Sequence, residues 1–465
     1  MTLIKSISGI RGTIGGSAGE NLTPVDIARF TSAFGMWVKK NSAAAMPHVV
    51  IGRDTRPSGE MVRSIVASSL NALGIDVTDL GLSTTPTVEM AVANLKADGG
   101  IIITASHNPK NWNALKLLNS KGEFISAETG AEVLAIAEQE SFQFAEVDSL
   151  GRYCEDDSQI QKHIEQILAL PLVDVDAIRN KNFRVVIDCV NSTGGIALPL
   201  LLKSLNVENV VPLYCVPDGN FPHNPEPLPE HLTALSSEVK KQNANLGFVV
   251  DPDVDRLAIV CGDGEMFGEE YTLVAVADYV LQSEKGATVS NLSSTRALRD
   301  VTENHGQKYY ASAVGEVNVV KMMKEKNAVI GGEGNGGIIY PKLHYGRDAL
   351  VGIALFLSHL ARSGKTCSQL RKSYPDYFMA KKKIEISPKI NPDKILETIK
   401  EKYSEEEINT IDGVKIDFSK TKNGWVHLRK SNTEPIIRIY TESTSPGAAD
   451  SLADKIINEI KEISR

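Results

Sequence analysis

Ile102-Ile103-Thr104-Ala105-Ser106-His107-Asn108-Pro109-Lys110-Asn111 is the stretch on which the architecture of this chain turns. The apolar run from Gly100 to Ile103 reads as a buried strand. Small and polar residues and then Pro109 end it abruptly. A serine at the carboxyl end of such a strand faces the crevice where α/β folds carry their chemistry. A hydrolase nucleophile elbow requires G-x-S-x-G, and Thr104 and Asn108 stand at the glycine positions. The alternative is a serine that carries a phosphoryl group. That reading demands a cation site and several phosphate-binding groups elsewhere in the chain.

Working outward, strands and helices alternate. Strands are expected at 48–51, 75–80 and 100–104, with helices at 60–73 and 88–95. The rhythm resumes with a strand at 183–188, helices at 195–205 and 230–242, and a strand at 246–250. A third unit has helices at 272–282, 296–304, 317–326 and 348–360, with strands at 287–289 and 328–330. Such alternation implies βαβ units and largely parallel sheets. The last 90 or so residues differ: strands at 381–386, 425–429 and 436–441 with helices at 393–403 and 446–463 give an antiparallel α+β pattern. The expected fold class is therefore α/β, three similar α/β domains plus a smaller α+β C-terminal domain. A length of 465 residues is too great for one core. Boundaries are expected at residues 1–152, 153–256, 257–374 and 375–465.

A net charge of −8 without a basic block argues against nucleic acid as the main partner. Five dispersed cysteines without a C-x-x-C pair fit a reducing compartment. The N-terminal residues lack a signal-peptide pattern, and no apolar window is long enough to span a membrane. A cytoplasmic protein is expected, as a monomer or a dimer.

The second informative stretch is Val249-Val250-Asp251-Pro252-Asp253-Val254-Asp255-Arg256. Alternate residues of an extended segment point the same way, so three carboxylates can converge after a buried strand. They repel unless a hard cation sits among them, and all-oxygen ligands suit Mg²⁺ or Ca²⁺. An EF-hand is excluded, because its sixth and twelfth positions would be Arg256 and Gly262. A strand followed by D-x-D also suits a phosphatase with Asp251 as nucleophile.

Three further stretches fit an anionic ligand. Leu428-Arg429-Lys430-Ser431-Asn432-Thr433-Glu434-Pro435, with Arg438 following, supplies arginine forks, hydroxyls and turn amides, the groups that grip phosphate. Gly331-Gly332-Glu333-Gly334-Asn335-Gly336-Gly337 lets backbone approach a ligand closely around one acid and one amide. Ser8-Gly9-Ile10-Arg11-Gly12 places an arginine between glycines. Lys116, ten residues past Ser106, is within reach of the same cleft. In Gly52-Arg53-Asp54-Thr55-Arg56, Arg53 and Asp54 are expected to form a structural ion pair.

Together these motifs resemble the α-D-phosphohexomutase family over the whole chain, in the right order near residues 105, 250, 335 and 430. The resemblance implies four domains around a cleft and interconversion of hexose 6- and 1-phosphates. It implies Ser106 as the phosphorylated nucleophile, and one Mg²⁺ held by Asp251, Asp253, Asp255 and the phosphoserine. Arg11, His107 and Arg256 would meet the phosphoserine or the reacting sugar oxygen, and Lys116 would act as general acid or base. Glu333 and Asn335 would hold sugar hydroxyls. Arg429, Ser431, Asn432, Thr433 and Arg438 would hold the second phosphate. A hexose 1,6-bisphosphate would be the intermediate and activator, and a phosphosugar the only partner implied. The sugar loop of the family often reads Gly-Glu-x-Ser-Gly-His; here Asn335 replaces the serine and Gly337 stands where the histidine would. An asparagine there also resembles amino-sugar mutases, which favours glucosamine phosphate over glucose or mannose phosphate. The readings set against a mutase are the Asp251 phosphatase and a non-catalytic phosphosugar sensor.

Overall fold

A computed structural model describes residues 2–6 (Ser6 by its backbone), 9–387, 391–418, 424–431 and 436–463. They form two compact units, Met1–Val280 with Asn335–Arg371 and Leu281–Gly334 with Lys372–Arg465.

The first unit contains two sheets. The larger has seven strands in the order Ile4–Ser6, Gly9–Thr13, Trp112–Leu118, Gly99–Ile103, His48–Arg53, Asp76–Leu82, Tyr153–Glu155. His48–Arg53 runs parallel to both of its neighbours, whereas Gly99–Ile103 and Trp112–Leu118 pair antiparallel. Helices Pro24–Asn41, Gly59–Ala72 and Ala127–Gln139 cover one face through Phe30, Phe34, Val66, Leu70 and Val133. Helix Thr85–Asn94 covers the other through Val88, Ala91 and Val92. Burial on both faces explains why Val49-Val50-Ile51 and Ile101-Ile102-Ile103 read as unbroken apolar runs. The second sheet has the order Leu257–Cys261, Leu246–Val250, Arg184–Asp188, Asn209–Leu213, parallel except for its Leu257–Cys261 edge. Helix Ala349–Ser363 is buried from Ala349 to Ala361. It is N-capped by Asp348, whose Oδ1 accepts from Leu350 N at 2.8 Å.

In the second unit, Thr288–Asn291 lies between parallel strands Tyr309–Ser312 and Ile330–Glu333. The C-terminal sheet is antiparallel, ordered Phe378–Glu385, Ile436–Ser443, Trp425–Lys430, Val414–Asp417, Glu407–Asn409. Helices Pro392–Lys402 and Pro446–Ile463 close its core through Ile395, Ile399, Ala453 and Ile456. The expected fold class holds: α/β sheets followed by an antiparallel α+β tail.

Some elements depart from expectation. The helix expected from 88 begins at Thr85, because Thr84 Oγ1 accepts from Thr87 N at 3.1 Å and Pro86 suits a first turn. The helix expected at 230–242 is a 3₁₀ turn, Pro229–His231, followed by Thr233–Lys241. The strand expected at 328–330 runs over Ile330–Glu333. The preceding helix closes on Asn327 at φ +49°, and the next residues make the turn into the sheet. Among the described residues, no helix is long and apolar enough to cross a membrane.

Candidate active site

Ser106 follows strand Gly99–Ile103 in a tight loop and has a left-handed backbone, φ +48°, uncommon for any residue but glycine. One side chain holds that loop. The guanidinium of Arg56, 1 % exposed, donates to four of its carbonyls: Ser106 O (2.5 Å), Asn108 O (2.7 Å), Pro109 O (2.5 Å) and Trp112 O (3.0 Å). Its Nε is fixed by Asp54 Oδ2 at 2.9 Å, and Thr104 Oγ1 donates to the same oxygen at 2.7 Å. The expected Arg53–Asp54 ion pair is therefore wrong. Arg53 pairs with Glu60 at 2.9 Å, and Asp54 is committed to Arg56 because only Arg56 points inward to the loop.

The Asp251–Asp255 turn leaves strand Leu246–Val250 directly beneath Ser106. Ser106 Oγ donates to Asp251 Oδ2 at 2.7 Å. The three aspartates are wholly buried, and one carboxylate oxygen from each lies within 4.8 Å of the others. Val254, between two of them, has φ +63°, a strained conformation for a β-branched residue. That kink turns Asp253 and Asp255 to the same side. Asp251 Oδ1 ties the turn by accepting from Asp255 N (3.2 Å) and Arg256 N (3.1 Å).

Charges here are crowded and partly compensated. Lys116, on strand Trp112–Leu118, places Nζ 2.7 Å from Asp253 Oδ2 and 3.5 Å from Asp255 Oδ2. Arg347 Nη2 lies 2.6 Å from Asp255 Oδ2, and Thr85 Oγ1 donates to Asp253 Oδ2 at 2.7 Å. Burial, then Asp255 and Asp253, push the Asp251 carboxyl well above its usual range. Burial opposes charge on Asp253 as well, but the Lys116 ammonium outweighs it and holds that carboxyl low. Lys116 moves up for the same reason, Asp253 and Asp255 overcoming its desolvation. Asp253 Oδ1 and Asp255 Oδ1 are buried and accept no hydrogen bond among the described residues. Two orphaned carboxylate oxygens beside a third carboxylate form a donor set for a hard cation, and the turn can hold a metal.

His107 Nδ1 stands 3.4 Å from Ser106 Oγ. Burial, together with the guanidiniums of Arg256, Arg347 and Arg11, drives its pKa down to about 2, so the ring is neutral. Arg256 reaches Glu226 Oε1 at 3.4 Å. Arg11 lies on strand Gly9–Thr13, in register with Ala114; Ser8 is outside the described residues. Ser106, His107, Lys116, Arg11, Arg256 and the three aspartates thus form one cluster. Asn335 belongs to the same unit, its Oδ1 accepting from Gly337 N at 3.2 Å. Gly336 has φ +83°, and Leu257 N donates to its carbonyl at 3.0 Å. A Cβ there would lie 2.2 Å from Leu257 O, so the loop abuts the strand after the metal turn only as glycine.

In the second unit, Glu333 is buried, with Oε1 accepting from Asn291 Nδ2 (2.8 Å) and Gly315 N (3.1 Å). Arg429 and Arg438 face each other across strands Trp425–Lys430 and Ile436–Ser443, and Lys383 faces Arg438 on the other side. Like charges directly opposite destabilise a sheet. A row of three cations, with Asp412 2.8 Å from Arg429, is a place for an anion. Ser431 N donates to Ile436 O at 3.0 Å; Asn432 and Thr433 lie outside the described residues.

Sequence reasoning missed Arg56, Thr85, Arg347 and Lys383. The first carried a signal in Asp54-Thr55-Arg56, an acid two residues before a cation. Arg347 had one in its place just before the helix cap, Asp348. Lys383 is one of three consecutive lysines and had none.

Comparison with known proteins agrees with this geometry. Sequence profiles described as phosphoglucomutase/phosphomannomutase alpha/beta/alpha domains I, II and III match residues 3–144, 161–264 and 268–377, and the C-terminal domain profile matches 381–459. A Thermococcus kodakarensis phosphoglucomutase/phosphomannomutase is 38% identical over 440 residues, 93% of this chain and 94% of the relative. A probable phosphoglucosamine mutase of Methanopyrus kandleri is 33% identical, covering 98% of this chain and 97% of the relative. The crystal structure of a phosphoglucomutase/phosphomannomutase family protein from Burkholderia thailandensis superposes with a TM-score of 0.83 at 26% identity, covering 99% of this chain and 98% of that one. The chain belongs to the phosphoglucomutase/phosphomannomutase family, the α-D-phosphohexomutases. It is an isomerase of four-domain architecture that acts on hexose phosphates.

Proposed function

We propose that the chain is a phosphoglucosamine mutase that interconverts glucosamine 6-phosphate and glucosamine 1-phosphate through phospho-Ser106 and the 1,6-bisphosphate. The observation that carries the reading is Ser106 Oγ, 2.7 Å from a carboxylate turn with two orphaned oxygens. The oxygen of a free sugar hydroxyl attacks the phosphorus of phospho-Ser106. The phosphorus–sugar oxygen bond forms, the phosphorus–Oγ bond breaks, and the hydroxyl proton leaves to a base. The bisphosphate turns over, and the reverse step returns its other phosphoryl group to Ser106.

Each protein group has a part. Asp251, Asp253 and Asp255 would hold Mg²⁺ with a phosphoserine oxygen. When bound, the ion neutralises charge on the transferring group. Lys116, kept protonated by Asp253 and Asp255, supplies the acid half of the proton traffic. The neutral ring of His107, beside Ser106 Oγ, would contact the phosphoserine or the reacting sugar oxygen. Arg11 and Arg256 stabilise negative charge at the reacting oxygens. The Lys383–Arg438–Arg429 row and Ser431, with Asn432 and Thr433 of the same loop, would take the phosphate that stays on the sugar. Glu333 would orient the sugar hydroxyls. Domain boundaries after residues 152, 256 and 374 would give each of these loops its own domain.

Asn335 supports the amino sugar. Its Oδ1 accepts from Gly337 N, which orients the amide, and a second lone pair remains for an amino-group donor. The name of the 33%-identical relative points the same way. A coupled assay of the purified protein on glucosamine 6-phosphate, glucose 1-phosphate and mannose 1-phosphate tests the assignment. The highest kcat/KM is expected on glucosamine 6-phosphate, and Ser106→Ala should lose all three activities. A higher value for glucose or mannose phosphate would reassign the substrate. Release of inorganic phosphate without isomerisation would point instead to an Asp251 phosphatase.

A further inference from the structure

Gly337 stands where the resemblance to a Gly-Glu-x-Ser-Gly-His sugar loop would place histidine, and its surroundings show what uses the space. A Cβ on Gly337 would lie 2.3 Å from Cδ and 3.0 Å from Cγ of Arg347. The stem of Arg347 therefore fills the volume that a side chain at 337 would take. Its head is also committed. Nη2 reaches Asp255 Oδ2 at 2.6 Å, the same oxygen that faces Lys116 Nζ at 3.5 Å. With Oδ2 occupied, Oδ1 is the oxygen of Asp255 left without a hydrogen bond among the described residues, as Oδ1 is in Asp253.

We propose that Arg347 is a positioning residue of the metal turn. By fixing Asp255 Oδ2, it presents Oδ1 to the cation, and Gly337 is glycine so that Arg347 can reach. An arginine suits this work, because its planar fork sets the rotation of a carboxylate, which an ammonium does not. Outer groups that orient metal ligands are typically worth about 10–100-fold in metal affinity or activity. The inference rests on the reading that Asp251, Asp253 and Asp255 hold the divalent ion, and its test needs no turnover.

Mn²⁺ binding is measured on the full chain by electron paramagnetic resonance, for the wild type, Arg347→Ala, Gly337→Ala and the double variant. Arg347→Ala should weaken Mn²⁺ binding about 10–100-fold. Gly337→Ala, which displaces Arg347 without touching any carboxylate, should weaken it in the same direction. In the Arg347→Ala background, Gly337→Ala should cost nothing further, because contacting residues are not additive. If Arg347→Ala does not fold, Arg347→Met, which keeps the packed stem, is measured instead. Raised Mg²⁺ should restore the turnover of each folded single variant. Unchanged Mn²⁺ affinity in the arginine variant, or additive losses in the double variant, would overturn the proposal. If the wild type binds no Mn²⁺, this inference falls together with the metal part of the proposed function. If the wild type binds and the arginine variant binds equally well, this inference alone falls.

Discussion

Two enclosed lysines, one in each unit, show how differently this chain treats a charge taken out of water. Lys116 sits 5.6 Å from the centre of the Phe124 ring, and Lys415 sits 3.9 Å from that of Trp425. For both, burial is the largest influence and favours the neutral amine. At Lys116, Asp253 and Asp255 reverse it and the ammonium is locked on. At Lys415, Nζ donates to Leu292 O at 2.7 Å and the pKa falls to about 8. Acids are present there too, but they are engaged elsewhere. Glu442 takes Arg296 Nε (3.0 Å) and Trp425 Nε1 (2.7 Å), and Asp417 takes Arg299 (3.2 Å). In the first unit Asp253 takes Lys116, Asp255 takes Lys116 and Arg347, and each keeps one oxygen over. Around Lys415, Asp417 Oδ1 and Arg296 Nη2 lack a hydrogen bond among the described residues too, but they stand singly, whereas the first unit's two orphaned oxygens belong to carboxylates that converge, a donor set for a cation.

The largest effect that can break this comparison is expected from Lys116→Met. Removing one partner of a buried ion pair leaves uncompensated charge, and a loss of about 3–5 kcal/mol in unfolding free energy is expected. Denaturant titration with and without Mg²⁺ checks it: Mg²⁺ should recover part of the loss, while turnover stays depressed about 10²-fold or more. A variant as stable as the wild type without Mg²⁺ would mean that Lys116 does not compensate the triplet.

Lys415→Met should do far less at pH 7, on the order of 1 kcal/mol in either direction, because it removes a desolvated charge together with its hydrogen bond. The pH dependence sharpens the contrast. A folded pKa of about 8, below the ordinary lysine value of 10.5, means the unfolded chain binds the extra proton between them. Wild-type stability should therefore rise as pH goes from about 8 to 10.5, and the methionine variant should lose that slope. A slope retained in the variant would place the titration on another group.

Much of the fold was legible because its signals are local. Ile101-Ile102-Ile103 and Phe248-Val249-Val250 could only be doubly covered strands, and 446–463 carried its helix from Pro446 to Ile463. Strand Trp112–Leu118 was not legible, because Asn113 and Lys116 break its apolar run; Lys116 is polar to serve the site. The site divides in the same way. Ser106 and the three aspartates announce themselves by spacing, since each lies in one short loop. Arg56, Arg347 and Lys383 act across 50 residues or more of chain, as in Arg56 to Ser106, and their partners appear only once the strands are side by side. The Arg53–Asp54 pair was inferred from adjacency alone, and adjacent side chains on a strand point to opposite faces.

The central claim is that Ser106 carries the phosphoryl group and the aspartate turn serves it. The most direct measurement incubates the purified protein with Mg²⁺ and glucosamine 1,6-bisphosphate radiolabelled in its phosphates, and maps the label by peptide mass spectrometry. One labelled phosphoryl group on Ser106 is expected, dischargeable by glucosamine 6-phosphate and absent from Ser106→Ala. Label on Asp251, or on no residue at all, would contradict the account.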